Sequence, residues 1–201
     1  MFKDRQAAGK ILAKRLRDTK ADLVLGIPRG GVVVAKEVAK SLNLPLDVVV
    51  TRKIGAPTQP ELALGAVDPD GEVVWDPALR DQFKIENLKL KIDDEMKEIK
   101  RREELYRQGK KQLDVKNKAV ILVDDGMATG ATTLSAVKYL KRHGVKVILA
   151  VPVTSQEALE KVRNNCDEAV ILHAPEYFQA VGQFYQEFES VSDEEVIQYL
   201  K

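Results

Sequence analysis

The chain has 201 residues, 44% of them hydrophobic and 31% charged, with 32 Lys and Arg against 31 Asp and Glu for a formal charge of +1. That length fits one domain with room for a substantial core, and the composition is that of an ordinary globular protein. So balanced a charge argues against bulk nucleic-acid or anionic-membrane binding, which needs a concentrated basic face.

Cys166 is the only cysteine, which excludes an internal disulfide, and with His143 and His173 it makes no zinc site without help from carboxylates. The stretch Met1–Asp18 has no apolar core of the secretory kind. Apolar runs are only about four or five residues long, far below a membrane span. A reducing cytoplasm is the expected compartment.

In chain order, Ala8, Ile11, Leu12 and Leu16 recur at helical spacing ahead of Asp22. LVLGI (23–27) then reads as a buried strand stopped by Pro28-Arg29-Gly30-Gly31. Residues 32–42 return to helical spacing, 46–51 read as a strand, and 61–67 and 71–76 as strands around the turn Asp68-Pro69-Asp70-Gly71. A long polar helix over about 85–110 follows, with Ile85, Leu88, Ile92, Met96, Ile99 and Tyr106 on one stripe. Strands at 119–125, 145–153 and 168–174 alternate with helices at 131–144 and 156–165, and a capped helix ends the chain at 192–200. Strands apolar throughout and alternating with helices imply an α/β fold: a mainly parallel sheet covered on both faces. No repeat or linker divides the chain, so 1–201 is expected to form a single domain.

The most informative stretch runs from Val120 to Thr132, VILVDDGMATGAT. An apolar strand ends in Asp124 and Asp125, and a Thr/Gly turn opens the next helix, at the sheet edge where open α/β folds bind ligands. Amides at the start of that helix, with the hydroxyls of Thr129, Thr132 and Thr133, suit an anion, and Gly130 permits close backbone approach. Two carboxylates beside such a cradle would repel a phosphate, so they suit a sugar diol or a magnesium ion. The spacing lacks the lysine of a P-loop, and the glycines after Leu25 do not form the dinucleotide GxGxxG pattern.

This stretch resembles, at every position, the signature of type I phosphoribosyltransferases for phosphoribosyl pyrophosphate (PRPP). The resemblance implies a type I core at roughly 20–174, a hood from 175–201 with the N-terminus, and Mg²⁺-dependent transfer of a 5-phosphoribosyl group. It implies that Asp124 and Asp125 bind the ribose hydroxyls and the metal, directly or through ribose and water, while Gly126 and the turn Ala128-Thr129-Gly130-Ala131-Thr132, with Thr133, hold the 5-phosphate.

Gly26–Gly31 looks like the pyrophosphate loop of the same family, where a cis peptide often turns amides to the ligand. Arg29, Gly30 and Gly31 would then bind PRPP; a plain βα turn would also use these glycines. Thr51–Glu61 resembles the loop that closes over PRPP, so that Arg52 and Lys53 would face the leaving pyrophosphate, the other reading being a solvated hairpin. The acceptor pocket falls to 175–188, through Tyr177 and Phe178, although these rings serve equally well as a small hydrophobic core. Ala128 stands where 6-oxopurine enzymes carry a carboxylate, which turns the acceptor toward adenine-like, orotate-like or unfamiliar nitrogen bases. Stretches 51–67 and 180–196 are similar to a group of stand-alone phosphoribosyltransferases. The expected partners are PRPP and a small acceptor, without nucleic acid or membrane, and the resemblance is compatible with a homodimer. The rival is a nucleotide-sensing regulator of the same fold that binds nucleic acid, which the balanced charge and the lack of a helix-turn-helix pattern oppose. A phosphoribosyl hydrolase is a third alternative.

Overall fold

The computed structural model describes residues 1–56, 59, 62–80 and 88–201. Five parallel strands form the main sheet: β1 (Leu23–Gly26), β2 (Leu46–Val48), β6 (Ala119–Val123), β7 (Lys146–Val153) and β8 (Glu168–His173), in the order β2-β1-β6-β7-β8. The central strands are apolar because both of their faces are covered. Val24, Ile121 and Ile148 pack under α1 (Arg5–Arg15) and α2 (Gly30–Leu42), within a cluster that includes Leu12, Leu16, Val34 and Val38. Their neighbours Leu25, Leu122 and Leu149 point the other way, with α5 (Ala131–Arg142) and α6 (Gln156–Arg163) packed on them through Val137, Leu140, Ala158 and Val162.

Register places the site. Gly26 lies level with Val123, and Val123 with Ala150, so the carboxyl ends of three strands form one edge. From β1 the chain runs to β2 on one side, whereas β6 lies on the other. The helix after β1 covers one face and the helix after β6 the opposite face. This reversal between β1 and β6 opens the crevice in which such sheets bind ligands.

A second, antiparallel sheet of β3 (Arg52–Gly55), β4 (Ala63–Val67) and β5 (Val73–Trp75) stands beside the first. The expected hairpin is present. Asp68, fully buried, accepts at Oδ1 from the amides of Asp70 and Glu72 and at Oδ2 from Arg142, and Gly71 takes φ +87° to close the turn.

Two expectations need correction here. The strand expected over 46–51 stops at Val48, and Arg52 and Lys53 belong to β3 instead of opening a loop. Ile54, which is fully buried, and the pairing of Arg52 with Val67 hold them in the sheet. Of the expected closing loop, residues 57, 58, 60 and 61 lie outside the described residues, as do Ile85 and the rest of 81–87.

After the short α3 (Pro77–Arg80), α4 (Leu88–Arg107) covers β3 and β4, seating Ile92, Met96, Ile99 and Tyr106 beside Ile54 and Trp75. The last helix, α7 (Asp193–Tyr199), is capped reciprocally by Ser192 and Glu195, as the sequence predicts. Phe2 pairs with Tyr185, and the chain beyond β8 folds back over α1 through a cluster of Phe2, Phe178, Val181, Phe184, Tyr185 and Phe188. Among the described residues no helix is long and apolar enough to cross a membrane.

Candidate active site

The loop after β1 is drawn against β6 by the amide of Ile27, which donates to the carbonyl of Val123 at 2.9 Å. The Pro28–Arg29 peptide is cis, and α2 begins at once, with Arg29 in the N-cap position and no side chain capping its first turn. Gly30 and Gly31 lie in close contact with the acidic pair. A Cβ on Gly30 would overlap the Asp125 carboxylate, and one on Gly31 would lie 2.9 Å from the Cα of Asp124. The two loops therefore touch through their glycines and carboxylates.

Asp124 is 8% exposed, and each oxygen of its carboxylate accepts one hydrogen bond within the fold. Oδ1 accepts from the amide of Asp125 at 2.9 Å, and Oδ2 accepts from the hydroxyl of Thr133 at 3.2 Å. Burial pushes its pKa well above the usual carboxylate range, and the charge of Asp125 adds to the rise. Thr133 thus spends its hydroxyl on Asp124. Asp125 turns outward from the strand end and is held at two points: Arg5 Nε donates to Oδ2 at 2.7 Å, and the phenol of Tyr185 donates to its carbonyl at 2.6 Å.

The turn that follows is clamped from the β7 side. Met127 donates to the carbonyl of Val153 and accepts from the amide of Ser155, while the Ser155 hydroxyl donates to the carbonyl of Ala128 at 2.7 Å. Gly130 then takes φ +72° as the N-cap of α5, without a side chain to cap the helix. Ala128 and Thr129 are exposed, and Ala131 and Thr132 are half-buried. The structure therefore places two helix starts with no side-chain cap, α2 and α5, on either side of Asp124 and Asp125. Both present backbone amides and a positive dipole end at one sheet edge.

The expected cations sit at the margin. Arg29 reaches toward α7, with Nη1 3.9 Å from Asp193 Oδ1 and its side chain 44% exposed. Arg52 is paired with Glu95 of α4 at 2.8 Å, while Lys53 lies opposite Ala66 in the sheet. One residue before them, the hydroxyl of Thr51 donates to the carbonyl of Thr132 at 3.2 Å, joining the second sheet to the turn. Tyr177 is 87% exposed, whereas Phe178 packs on Phe184 with centroids 5.3 Å apart. The aromatic run thus builds a small core, with Tyr177 outside it.

No local pattern points to Arg5, Thr51 or Tyr185, because each acts through hydrogen bonds to residues far away in the sequence. Ser155 was equally unforeseen, although its N-cap position before α6 does leave a local signal.

A phosphoribosyl transferase domain model matches residues 3–185. The chain belongs to that family. A Mycobacterium tuberculosis H37Rv protein named as a putative phosphoribosyl transferase is 44% identical over 208 residues, covering 100% of this chain and 46% of its own. This phosphoribosyl transferase family member therefore spans about half the length of the curated relatives that it matches. The crystal structure of TT1426 from Thermus thermophilus superposes with a TM-score of 0.82 at 44% identity, covering 99% of this chain and 97% of that one. A purine phosphoribosyltransferase from Pyrococcus horikoshii shares the fold at 19% identity, with a TM-score of 0.51 and coverage of 94% and 92%. The type I fold expected from the sequence is the fold found.

Proposed function

We propose that this chain transfers the 5-phosphoribosyl group of PRPP to a nitrogen nucleophile and releases pyrophosphate. The observation that carries the proposal is the pair of helix starts without side-chain caps that flank Asp124 and Asp125. A substrate with a phosphate at one end, a pyrophosphate at the other and a diol between them matches that order of donors and acceptors. The turn of Ala128 to Thr132, with the amide of Thr133, takes the 5-phosphate, Asp124 and Asp125 accept from the ribose hydroxyls, and the amides of Gly30 and Gly31, with Arg29, take the pyrophosphate.

Magnesium fits this donor set. Two hard carboxylates at the carboxyl end of β6 are the kind of ligand Mg²⁺ takes, and a cation there would offset the burial and like charge that oppose ionisation of Asp124. Among the described residues no three metal-ligating side chains converge, so substrate oxygens and water would complete the shell. When bound, the ion would neutralise charge on the pyrophosphate.

In the transfer, the bond from C1 of the ribose to the pyrophosphate oxygen breaks and its electron pair leaves with the pyrophosphate. The lone pair of the acceptor nitrogen forms the new bond to C1, and the nitrogen then gives up its proton. Positive charge grows on the ribose and negative charge on the leaving group. Catalysis therefore rests on holding both ends in line and on donors aimed at the pyrophosphate. Arg52 and Lys53, at the start of β3, are the second source of such charge, once released from the contacts that hold them in the fold, Glu95 in the case of Arg52. The terminal segments, 175–201 with the N-terminus, act as the hood over the acceptor, and the whole chain works as one domain in the cytoplasm.

The test is pyrophosphate release from PRPP and Mg²⁺ against a panel of purines, pyrimidines and amines, with a control lacking acceptor. Release that depends on one acceptor supports the transferase and names its substrate. Release without an acceptor indicates a hydrolase. No release, with PRPP still bound in calorimetry, points to a regulator, and no binding overturns the assignment of the site.

A further inference from the structure

Arg5 opens α1, far from the signature stretch in sequence, yet its side chain is only 11% exposed. Its donors run in two directions. Nε donates to Asp125 Oδ2 and Nη1 to the carbonyl of Glu189, both at 2.7 Å, while the guanidinium lies over the ring of Phe188 with Cζ 3.8 Å from the centroid. Gly30 closes the arrangement from below, since a Cβ there would come 2.8 Å from Arg5 Nε. One side chain thus joins α1, the carboxyl end of β6 and the segment 185–189.

A buried guanidinium is costly unless its donors are matched, and the planar fork of arginine matches two acceptors and a ring at once. Had its role been to fasten the termini alone, the carbonyl of Glu189 and the ring of Phe188 would supply the partners. The third partner is instead the carboxylate beside Asp124 at the mouth of the crevice. The bond from Arg5 to Oδ2 restrains the Asp125 side chain, which also lies against the carboxyl of Asp124.

We propose that Arg5 is a positioning residue for the ribose site: it sets the Asp125 carboxylate for the ribose hydroxyls and ties that orientation to the 185–189 segment. The proposal rests on the assignment of Asp125 to the ribose of PRPP. The Arg5 bonds go to Asp125 and Glu189, so their loss should act on what Asp125 holds, the diol and the metal, and spare metal-free pyrophosphate.

That restriction supplies the experiment. Binding of PRPP with Mg²⁺, and separately of inorganic pyrophosphate without Mg²⁺, is measured by calorimetry on the full chain, on Arg5→Gln and on Arg5→Lys, with thermal melts to check folding. Arg5→Gln is expected to weaken PRPP by about tenfold or more, the size of one lost bond to a charged group, and to leave pyrophosphate within about twofold. Arg5→Lys, which keeps the charge but not the fork, should recover part of the PRPP affinity; should Arg5→Gln fail to fold, Arg5→Lys carries the comparison. The proposal is overturned if both variants bind PRPP like the wild type, if they lose PRPP and pyrophosphate equally, or if neither folds. Wild-type chain that binds pyrophosphate but not PRPP would remove the ribose assignment itself, a result distinct from any loss confined to the variants.

Discussion

The phenol of Tyr185 donates a 2.6 Å hydrogen bond to the backbone carbonyl of Asp125, 60 residues earlier in the chain. Tyr185 is 5% exposed, and burial together with the charge of Asp125 raises its pKa, so it is a donor throughout the neutral range. Its ring also packs between Phe2 and Phe188, at centroid distances of 5.5 and 5.0 Å. Tyr185→Phe keeps those contacts and leaves the carbonyl without its partner. The expected cost is about 1 kcal/mol, read as a lower urea midpoint at unchanged slope, with a rise of a few-fold in the KM for PRPP. An unchanged midpoint would mean that the bond contributes nothing in solution.

Asp124 separates function from stability. Its carboxyl is buried beside Asp125, and both the burial and the like charge oppose its ionisation and raise its pKa. A group raised in this way stabilises most below its unfolded pKa, and that contribution is lost as the pH rises through its folded value. Asparagine resembles the neutral acid, keeps an acceptor for the amide of Asp125 and can pair with Thr133. Asp124→Asn should therefore melt at or above the wild-type temperature at pH 7, while PRPP turnover drops at least about 100-fold. A variant that melts several degrees lower would show that the carboxylate is structural.

Gly30→Ala tests the contact between the two loops. The new methyl group would enter the space of the Asp125 carboxylate and come close to Arg5 Nε. What must yield is the end of a side chain, not the backbone, so the fold should survive with a stability loss of about 1–3 kcal/mol. PRPP binding should fall by at least tenfold, about 1.4 kcal/mol. Full PRPP affinity in Gly30→Ala would place Asp125 outside the ribose site.

The fold was legible where residues are patterned locally. Leu23–Gly26, Ala119–Val123 and Lys146–Val153 are apolar runs bounded by breakers, and each forms a strand of the parallel sheet. Ser192 and Glu195 announce α7 at the spacing of a capping box. Asp124 and Asp125 stand out because two charges end an apolar run. What stayed hidden depends on partners distant in sequence. Arg52 and Lys53 look like loop residues until β4 supplies a ladder and α4 supplies Glu95. Ile11 fits the helical spacing of α1 yet is 44% exposed, since Ala8, Leu12 and Leu16 already fill the contact. Arg5 reaches Asp125 across 120 residues, which no periodicity can encode.

Away from the site, Glu98 gives the fold a defined acid sensitivity. On the surface of α4 it accepts from Arg101 Nε at 2.7 Å and from Arg102 Nε at 2.6 Å. The bond to Arg101 is the largest cause holding its pKa down at about 2, against the opposing effect of burial and with help from Arg102. A carboxylate lowered in this way stabilises the fold above its unfolded pKa, and the contribution disappears as the pH falls toward the folded value. The window is therefore from an ordinary 4.5 down to about 2. Since Glu98 is 27% exposed and Arg101 52%, solvent screening limits the net contribution to about 1 kcal/mol. Glu98→Gln should be less stable than wild type by that amount at pH 7 in urea unfolding at low salt, and the gap should narrow by roughly half or more near pH 3. A gap that stays constant from pH 7 to pH 3 would show that Glu98 acts through packing and not through its charge.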